Sequence, residues 1–397
     1  MKIALTGGSG IQGMSAMIYL LDQDDVEEIF VSDMHNIDRL KQRVNNLDDK
    51  RLVMAELDCT DEVAAAKAFE GYDVVLNSAM TRGHYIKTTR AALKAGADYL
   101  DMTSLGEEPL QMELHDQFKE KGLTCLLDMG TAPGLSNLMA VYCMNRLDKT
   151  DTIDYAWGVI DTVAPEDHSR PLYWGFGFEG MLGLISGPSI VFEDGEVKYL
   201  PPRDRPEKFS FKSGDQVIKG LGHREPAMLA ESFPDAGFKH IMYRQAFDAD
   251  SEMKYAFLRD LGFASKEPID VNGMQVLPYD VLWAMLQKLP EEQKTPAKYV
   301  SEGNCIARGW KDDKEMEVRL MIRTDPDSDM HKRYTNKGAF GSYRTGISAS
   351  IAAVMMGRGQ IEKKGVYRPE ICVPAEHYIK EQARAGMEVE ETITAVL

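Results

Sequence analysis

Lys2-Ile3-Ala4-Leu5-Thr6-Gly7-Gly8-Ser9-Gly10-Ile11-Gln12-Gly13 opens the chain, and its reading decides the fold. Ile3 to Leu5 is a short apolar run of the kind that makes a buried parallel strand. Gly8, Gly10 and Gly13 then satisfy G-x-G-x-x-G, and Met14 to Leu21 continues as a helix. Each glycine has a physical task in that setting. Gly8 is expected to permit the tight turn off the strand. Gly10, with no Cβ, lets a pyrophosphate approach the backbone. Gly13 lets the helix pack close to the sheet. The start of the helix offers free N–H groups and its positive dipole end to phosphate. Gly8, Ser9, Gly10, Ile11, Gln12 and Gly13 are therefore candidate contacts to a dinucleotide.

The glycine pattern alone is weak, so its context decides. A second apolar strand, Ile29-Phe30-Val31-Ser32, ends on Asp33. An acidic side chain roughly 20 residues after the glycines meets the adenine ribose hydroxyls; a plain surface aspartate is the bland alternative. Arg51 to Asp58 reads as a strand, Asp61 to Phe69 as a helix and Asp73 to Ser78 as a fourth strand. This β-α-β-α-β order predicts a doubly wound parallel sheet. Asp58, Asn77 and Ser78, at strand ends, join the candidate cofactor contacts. Asp33 favours NAD, because it would repel a 2′-phosphate. Arg39, a turn further on, leaves NADP open.

At 397 residues the chain is long for one core, so two domains are expected. Lys plus Arg is 46 against 63 Asp plus Glu, a net charge of −17. That surface argues against nucleic acid and anionic membranes as partners. Cys59, Cys125, Cys143, Cys305 and Cys372 are dispersed, with no C-x-x-C. Neither a disulfide framework nor a metal site is expected, and a reducing cytoplasm fits. Met1 leads straight into a strand, so no signal peptide is expected. No apolar run reaches the roughly 20 residues that span a bilayer.

Further along, Tyr85 to Ala95 and Leu110 to Lys121 read as helices, and Tyr99 to Thr103 and Leu123 to Asp128 as strands. Their ends, Asn77-Ser78, Asp101 to Thr103 and Asp128 to Gly130, fall on the carboxyl edge, where open α/β sheets bind ligands. The pattern changes after Gly130. Thr152 to Ile160 alternates as a strand. Hairpins are expected around Asp194-Gly195 and over Lys311-Asp312-Asp313, and helices over Glu252–Leu261 and Tyr279–Lys288. Strands outnumber helices there, which predicts an α+β domain on a mixed or antiparallel sheet. Thr345 to Met356 is a helix rich in small residues and suited to close packing. The expected division is a dinucleotide-binding domain over 1–130, completed by 345–397, with a second domain over 131–344.

Leu127-Asp128-Met129-Gly130-Thr131-Ala132-Pro133-Gly134-Leu135-Ser136-Asn137 resembles the signature of the saccharopine dehydrogenase-like family, closest to its lysine 6-dehydrogenase and saccharopine reductase branch. Tyr99-Leu100-Asp101, Glu107-Glu108-Pro109-Leu110, Leu258 to Phe263 and Gly365-Val366-Tyr367-Arg368-Pro369-Glu370 resemble other family segments, and His84 sits where saccharopine reductases carry a histidine. The resemblance covers nearly the whole chain. It implies a Rossmann domain completed by the C-terminal segment, an inserted substrate domain and a homodimer. Two departures stand out. The glycine loop looks more like that of extended short-chain reductases. After Tyr243-Arg244, Gln245-Ala246-Phe247 replaces the lysine 6-dehydrogenase pattern.

The chemistry this implies is hydride transfer between nicotinamide and an amine-bearing carbon of an amino acid, through an imine. The cofactor carries the hydride; the protein aligns the carbon and manages a proton. His84 and His115 are the candidates for the proton; their bland readings are a helix-start hydrogen bond and a solvent-facing ring. Asp101 and Asp128 are candidates for a substrate ammonium, against turn capping. Ser104 is a candidate for a polar substrate group. Arg244 is the first candidate for a substrate carboxylate, with Arg82 second, because a guanidinium binds two oxygens at once. Trp174, Phe176 and Phe178 either line a pocket or belong to a core. A carboxynorspermidine-type dehydrogenase and a dinucleotide-sensing regulator are the competing functions. A short-chain reductase is excluded, since none of the 16 tyrosines has lysine four positions on.

Overall fold

The computed structural model describes residues 1–35, 37–161, 172, 177–289, 299–339 and 343–395. The chain divides into two compact units, Met1–Asn145 with Asp327–Val389, and Arg146–Pro326 with Glu390–Leu397.

In the first unit, Lys2–Thr6 (β1), Glu28–Asp33 (β2), Leu52–Glu56 (β3), Val74–Asn77 (β4), Asp98–Asp101 (β5) and Thr124–Leu126 (β6) form a sheet with Gly365–Tyr367 as a seventh strand beyond β6. The order from the far edge is β3-β2-β1-β4-β5-β6, and every pairing is parallel. Ile3, Ala4 and Leu5 are fully buried, as are Val74, Val75 and Leu76, because helices cover both faces of the sheet. The strand order reverses between β1 and β4, the switch point at which such sheets open a crevice for ligands. Helix α1, Ile11–Leu21, leaves β1 through the glycine loop.

The small-residue helix Arg344–Gly357 packs on α1. A Cβ on Gly346 would lie 2.4 Å from the Gln12 carbonyl oxygen and 2.7 Å from Ser15 Cβ, so only glycine allows this approach. Its composition therefore serves packing. The first unit runs on past residue 130 to take in the helix Leu135–Met144, whose Leu135, Leu138 and Met139 are fully buried. It resumes at Asp327 with the helix Asp329–Asn336, earlier than the return at 345 read from the sequence. The far C-terminus departs from the sequence reading. Glu388–Ala395 is a strand at the edge of the second sheet, next to Lys314–Thr324, so the chain from Glu390 belongs to the second unit. Main-chain pairing with an open sheet edge decides this, and the eight-residue strand left no local signal strong enough to announce it.

The second unit is built on a mixed sheet, as its alternating strands predict. His240–Ala246 runs parallel to Lys149–Asp161, which pairs antiparallel with Tyr299–Lys311. The two expected hairpins form, Ser189–Glu193 with Glu196–Leu200 and Tyr299–Lys311 with Lys314–Thr324. Their turns place Asp194 and Gly195, and Asp312 and Asp313, at positive φ, which matches the twist of the flanking strands. Phe178 is a core residue: its ring stacks on Tyr255, Tyr279 and Trp283 at 5.9–6.1 Å. Trp174 and Phe176 lie outside the described residues.

At the centre of this sheet the Trp157 ring lies flat over Gly303, where a Cβ would meet ring carbons at 2.4–2.5 Å. Gly303→Ala is expected to destabilise the second unit by about 1–3 kcal/mol through overpacking. Urea unfolding followed by tryptophan fluorescence measures it; an unchanged midpoint would show that the ring moves aside at no cost.

Candidate active site

The glycine loop divides its work differently from the sequence reading. The tight turn is made by Gly7, at φ +73 and against the Ser78–Ala79 backbone. Gly8 is needed for packing: a Cβ there would lie 2.2 Å from Val31 Cγ1 on β2. Gly13 closes the loop on itself, with a Cβ 2.3 Å from the Gly7 carbonyl oxygen. Gly10 alone faces open space, with only the Gly7 oxygen within 3.2 Å of its would-be Cβ. Helix α1 starts beside it with no side-chain cap and no acid in its first turn. Its leading N–H groups and positive dipole end are thus left for an anion. This cradle fits a dinucleotide pyrophosphate.

Asp33, at the end of β2, holds the loop. Its Oδ2 accepts from Ser9 N at 3.1 Å and Ser9 Oγ at 2.6 Å, and its Oδ1 accepts from His35 N at 3.1 Å. On the helix Ile37–Leu47 that follows, Arg43 reaches back to donate to the Gly10 carbonyl oxygen. Burial, with the Arg39 charge second, pushes the Arg43 guanidinium down to about 10, so it stays cationic at neutral pH. Arg43 was missed in the sequence. Its signal was the spacing Arg39-x-x-x-Arg43, which puts both arginines on one helix face behind Asp33. Gln12 points away from the cradle, its Oε1 accepting from Gly346 N at 2.8 Å.

Side-chain hydrogen bonds fix the segments that leave β3 to β6, and those of Asn77, Asp101 and Asp128 are buried. Asp58 Oδ1 accepts from Thr60 N and Oγ1, and these bonds hold its carboxyl below the usual range. Asn77 accepts from Thr6 Oγ1 at 2.6 Å and donates to Tyr99 Oη at 3.1 Å. Ser78 Oγ donates to the Thr6 carbonyl at 2.5 Å. Asp101 and Asp128 form a pair, 0% and 2% exposed. Asp101 Oδ1 accepts from Asp128 N at 2.9 Å, and its Oδ2 accepts from Gln111 Nε2 at 2.9 Å and Tyr99 Oη at 3.2 Å. Asp128 accepts from Ser104 N at 2.6 Å and Ser104 Oγ at 3.0 Å. Burial, reinforced by the Asp128 charge, outweighs these donors and raises the Asp101 carboxyl to about 7. The pair and Ser104 thereby pin the loop that follows β5 at the carboxyl edge.

The remaining candidates separate. His84 is exposed at the start of the helix Tyr85–Ala95, on the loop that leaves β4, with its backbone N–H on the Thr81 carbonyl at 2.8 Å. Arg82 is exposed on the same loop. His115 lies on the second of two short helices, Glu108–Met112 and His115–Glu120, where the sequence suggested one. Its ring packs over Gly365 and edge-on to Tyr367, with Nδ1 3.2 Å from the Val366 carbonyl, so it braces the edge strand and not the carboxyl edge. Arg244 belongs to the second unit, where Asp154 Oδ1, at 2.9 Å, and Glu207 take its guanidinium. A substrate carboxylate would have to displace them.

The 127–137 and 365–370 segments meet. Asn137, fully buried, donates to Glu370 Oε2 at 3.1 Å and accepts from Gly134 N at 3.2 Å. Arg368 pairs with Glu108. Family models fit this construction. The model for the saccharopine dehydrogenase NADP binding domain matches residues 3–126, and that for the saccharopine dehydrogenase C-terminal domain matches residues 130–387. The chain belongs to the saccharopine dehydrogenase family. It is thus an oxidoreductase with an NAD(P)-binding domain. It is similar to a carboxynorspermidine synthase of Vibrio cholerae, 29% identical over 83% of this chain and 81% of the relative. It is also similar to a carboxyaminopropylagmatine dehydrogenase of Synechocystis, 22% identical over 94% and 93%. Apo saccharopine dehydrogenase (L-Glu forming) from Saccharomyces cerevisiae shares the fold, with a TM-score of 0.74 at 16% identity over 99% of this chain and 100% of that one.

Two expectations test the site. Gly10→Val is expected to abolish dinucleotide binding in calorimetry while leaving the fold intact, because its bulk enters the open side of the cradle; retained affinity would move the pyrophosphate elsewhere. The second concerns pH. Folded Asp101 keeps its proton to about 7, against the ordinary 3.8. Between these values the folded chain binds one proton more than the unfolded chain, so this group makes stability fall as pH rises. Asp101→Asn is expected to remove that component, whose ceiling is about 1.4 kcal/mol per pH unit. Urea midpoints of both proteins between about pH 5 and 7 measure the difference; parallel slopes would show that Asp101 is ionised throughout.

Proposed function

We propose that the chain catalyses the NADP(H)-linked, reversible oxidation of a carboxylated secondary amine of the polyamine type to an imine. The substrate class rests on the relatives that align over most of their length, a carboxynorspermidine synthase and a carboxyaminopropylagmatine dehydrogenase. It replaces a free amino-acid amine as the first choice. The observation that carries the cofactor preference is Arg43 over Gly10, with Arg39 beside it. Two cations, one of them desolvated, repel each other there, and a 2′-phosphate would relieve both. Asp33 is held against the glycine loop by Ser9 and His35 and keeps its negative charge, so the two arginines must outweigh its repulsion of that phosphate.

The bound cofactor supplies or receives the hydride at C4 of its nicotinamide. The chain does the rest. Gly10 and the start of α1 hold the pyrophosphate. Asp101, Asp128 and Ser104 act as positioning residues that fix the loop after β5, since their oxygens lie beneath the surface. His84, exposed on the neighbouring loop, takes the amine proton on oxidation and returns it on reduction. Arg82 binds the substrate carboxylate in place of Arg244, whose ion pairs make it structural.

The test is an amine panel run with both cofactors: a carboxylated polyamine, saccharopine and lysine, each also assayed as the imine in reduction. Carboxylated polyamine is expected to give the highest catalytic efficiency, with NADP(H) over NAD(H). Arg43→Ala is expected to lower efficiency with NADPH about 10–100-fold, the size of one lost charge-assisted hydrogen bond, and to leave NADH almost unchanged. Equal losses with both cofactors would refute the phosphate assignment. Absence of turnover with every amine would return the chain to the dinucleotide-sensor reading.

A further inference from the structure

The hairpin of Glu207–Phe211 with Gly214–Gly220 folds over one face of the second sheet. Its Phe211 ring lies on Gly158, where a Cβ would meet ring carbons at 3.1–3.3 Å, and the backbone N–H of Lys212 donates to Glu302 Oε2 at 2.9 Å. Glu302 and Asn304 of Tyr299–Lys311 share that face with Arg319 and Met321 of Lys314–Thr324, because residues two apart on a strand point the same way and Asn304 pairs with Met321. On the third side the C-terminal strand brings Glu390 to Lys212 Nζ. A cavity of about 310 Å³ remains between the hairpin turn, the sheet face and this strand. Pockets for small molecules begin at roughly 300 Å³. The lining belongs wholly to the second unit and includes none of the residues assigned above to the dinucleotide or to the reaction.

Arg319 is held in place but not used up. Its Nε donates to Asn304 Oδ1 at 2.8 Å, and its guanidinium lies over the Phe209 ring, 5.0 Å from the centroid. Its two terminal nitrogens have no acceptor within hydrogen-bond reach among the described residues; the Glu302 carboxylate stops 3.9 Å from the nearer one. A guanidinium fixed at Nε and stacked on a ring is oriented before any ligand arrives, and its remaining N–H edge matches the two oxygens of a carboxylate. Glu302 is the complementary group. It is 1% exposed, and it receives one donor on each oxygen, Lys212 N on Oε2 and Asn304 Nδ2 on Oε1 at 3.0 Å. Each oxygen therefore keeps a further lone pair for a cation.

We propose that this cavity is a second binding site, for a small zwitterion bearing an ammonium and a carboxylate on one carbon. The carboxylate takes the N–H edge of Arg319, and the ammonium takes Glu302. The charges of the lining select for both groups together. Arg319 and Lys212 stand against Glu302 and Glu390, so a simple anion meets two acids and a simple cation meets two bases. A ligand carrying both charges at close spacing answers each in turn. A free α-amino acid and the carboxylated amine of the reaction share this chemistry. The site does not depend on which amine the chain oxidises.

Calorimetric titration of the full chain tests this, with L-alanine, L-lysine and a carboxylated polyamine as probes and acetate and methylamine as controls. At least one zwitterion is expected to bind, and acetate and methylamine are expected to bind far more weakly. Arg319→Gln is expected to weaken the zwitterion about 10–100-fold, the size of one lost charge-assisted hydrogen bond. Arg319→Lys keeps the charge over Phe209 but loses the two-nitrogen edge, so it is expected to weaken binding as well; it carries the test if circular dichroism shows the glutamine variant unfolded. Binding of L-alanine or L-lysine that Arg319→Gln removes identifies a free amino acid as the ligand. Two binding events for the carboxylated polyamine, of which Arg319→Gln removes one, identify the reaction's own amine. KM for the amine in turnover is expected to stay unchanged in Arg319→Gln. The proposal is overturned if no zwitterion binds outside the reaction site, if affinity survives both substitutions, or if acetate binds as tightly as L-alanine. A raised KM in Arg319→Gln also overturns it, because Arg319 would then serve the reaction itself.

Discussion

The first unit depends on a steric constraint: nothing larger than hydrogen fits at Gly8 or Gly13. Gly8 lets the loop lie on Val31 of β2, and Gly13 lets α1 begin against the Gly7 carbonyl. Together they force the chain to leave β1 and enter α1 within a few residues, at the point where the strand order reverses. A helix start, an open backbone at Gly10 and the crevice of a parallel sheet then coincide. The anion-binding character of the site follows from that coincidence, since no basic side chain is needed to create it.

Around the loop, buried polar groups convert strand ends into a fixed edge. Asp33 grips Ser9, Asn77 grips Thr6, and Asp101 takes the backbone of Asp128, which takes Ser104. Burial, with the Asp128 charge beside it, disfavours the ionised form of Asp101 and raises its carboxyl to about 7. A perturbed acid of this kind usually marks a functional site. Here its geometry assigns it to support: its oxygens face donors of the protein, whereas His84 and Arg82 are the exposed side chains on the loop that leaves β4.

The C-terminal return is secured in the same manner. Gly365–Tyr367 extends the sheet beyond β6, Glu370 receives Asn137, and Arg368 receives Glu108. The segments that carry the family resemblance are therefore largely a scaffold for the return of the chain. This accounts for a family signature that identifies the fold well and the substrate poorly.

The sequence by itself determined the local elements. Apolar runs, glycines and their spacing announced β1 to β6, the dinucleotide loop, the two hairpins and the mixed second sheet, because strand, helix and turn respond to neighbours a few residues away. It also brought the resemblance that placed the carboxyl-edge residues. Only the tertiary structure decided who meets whom. It gave the turn to Gly7 and packing to Gly8, laid Arg43 over Gly10, tied Arg244 to Asp154, braced His115 against Gly365–Tyr367 and sent Glu388–Ala395 to the second sheet. The reason is physical. A charged or polar side chain bonds to whatever partner folding brings within about 3 Å, and residues 27 or 90 positions away compete for it without leaving a mark on the local pattern.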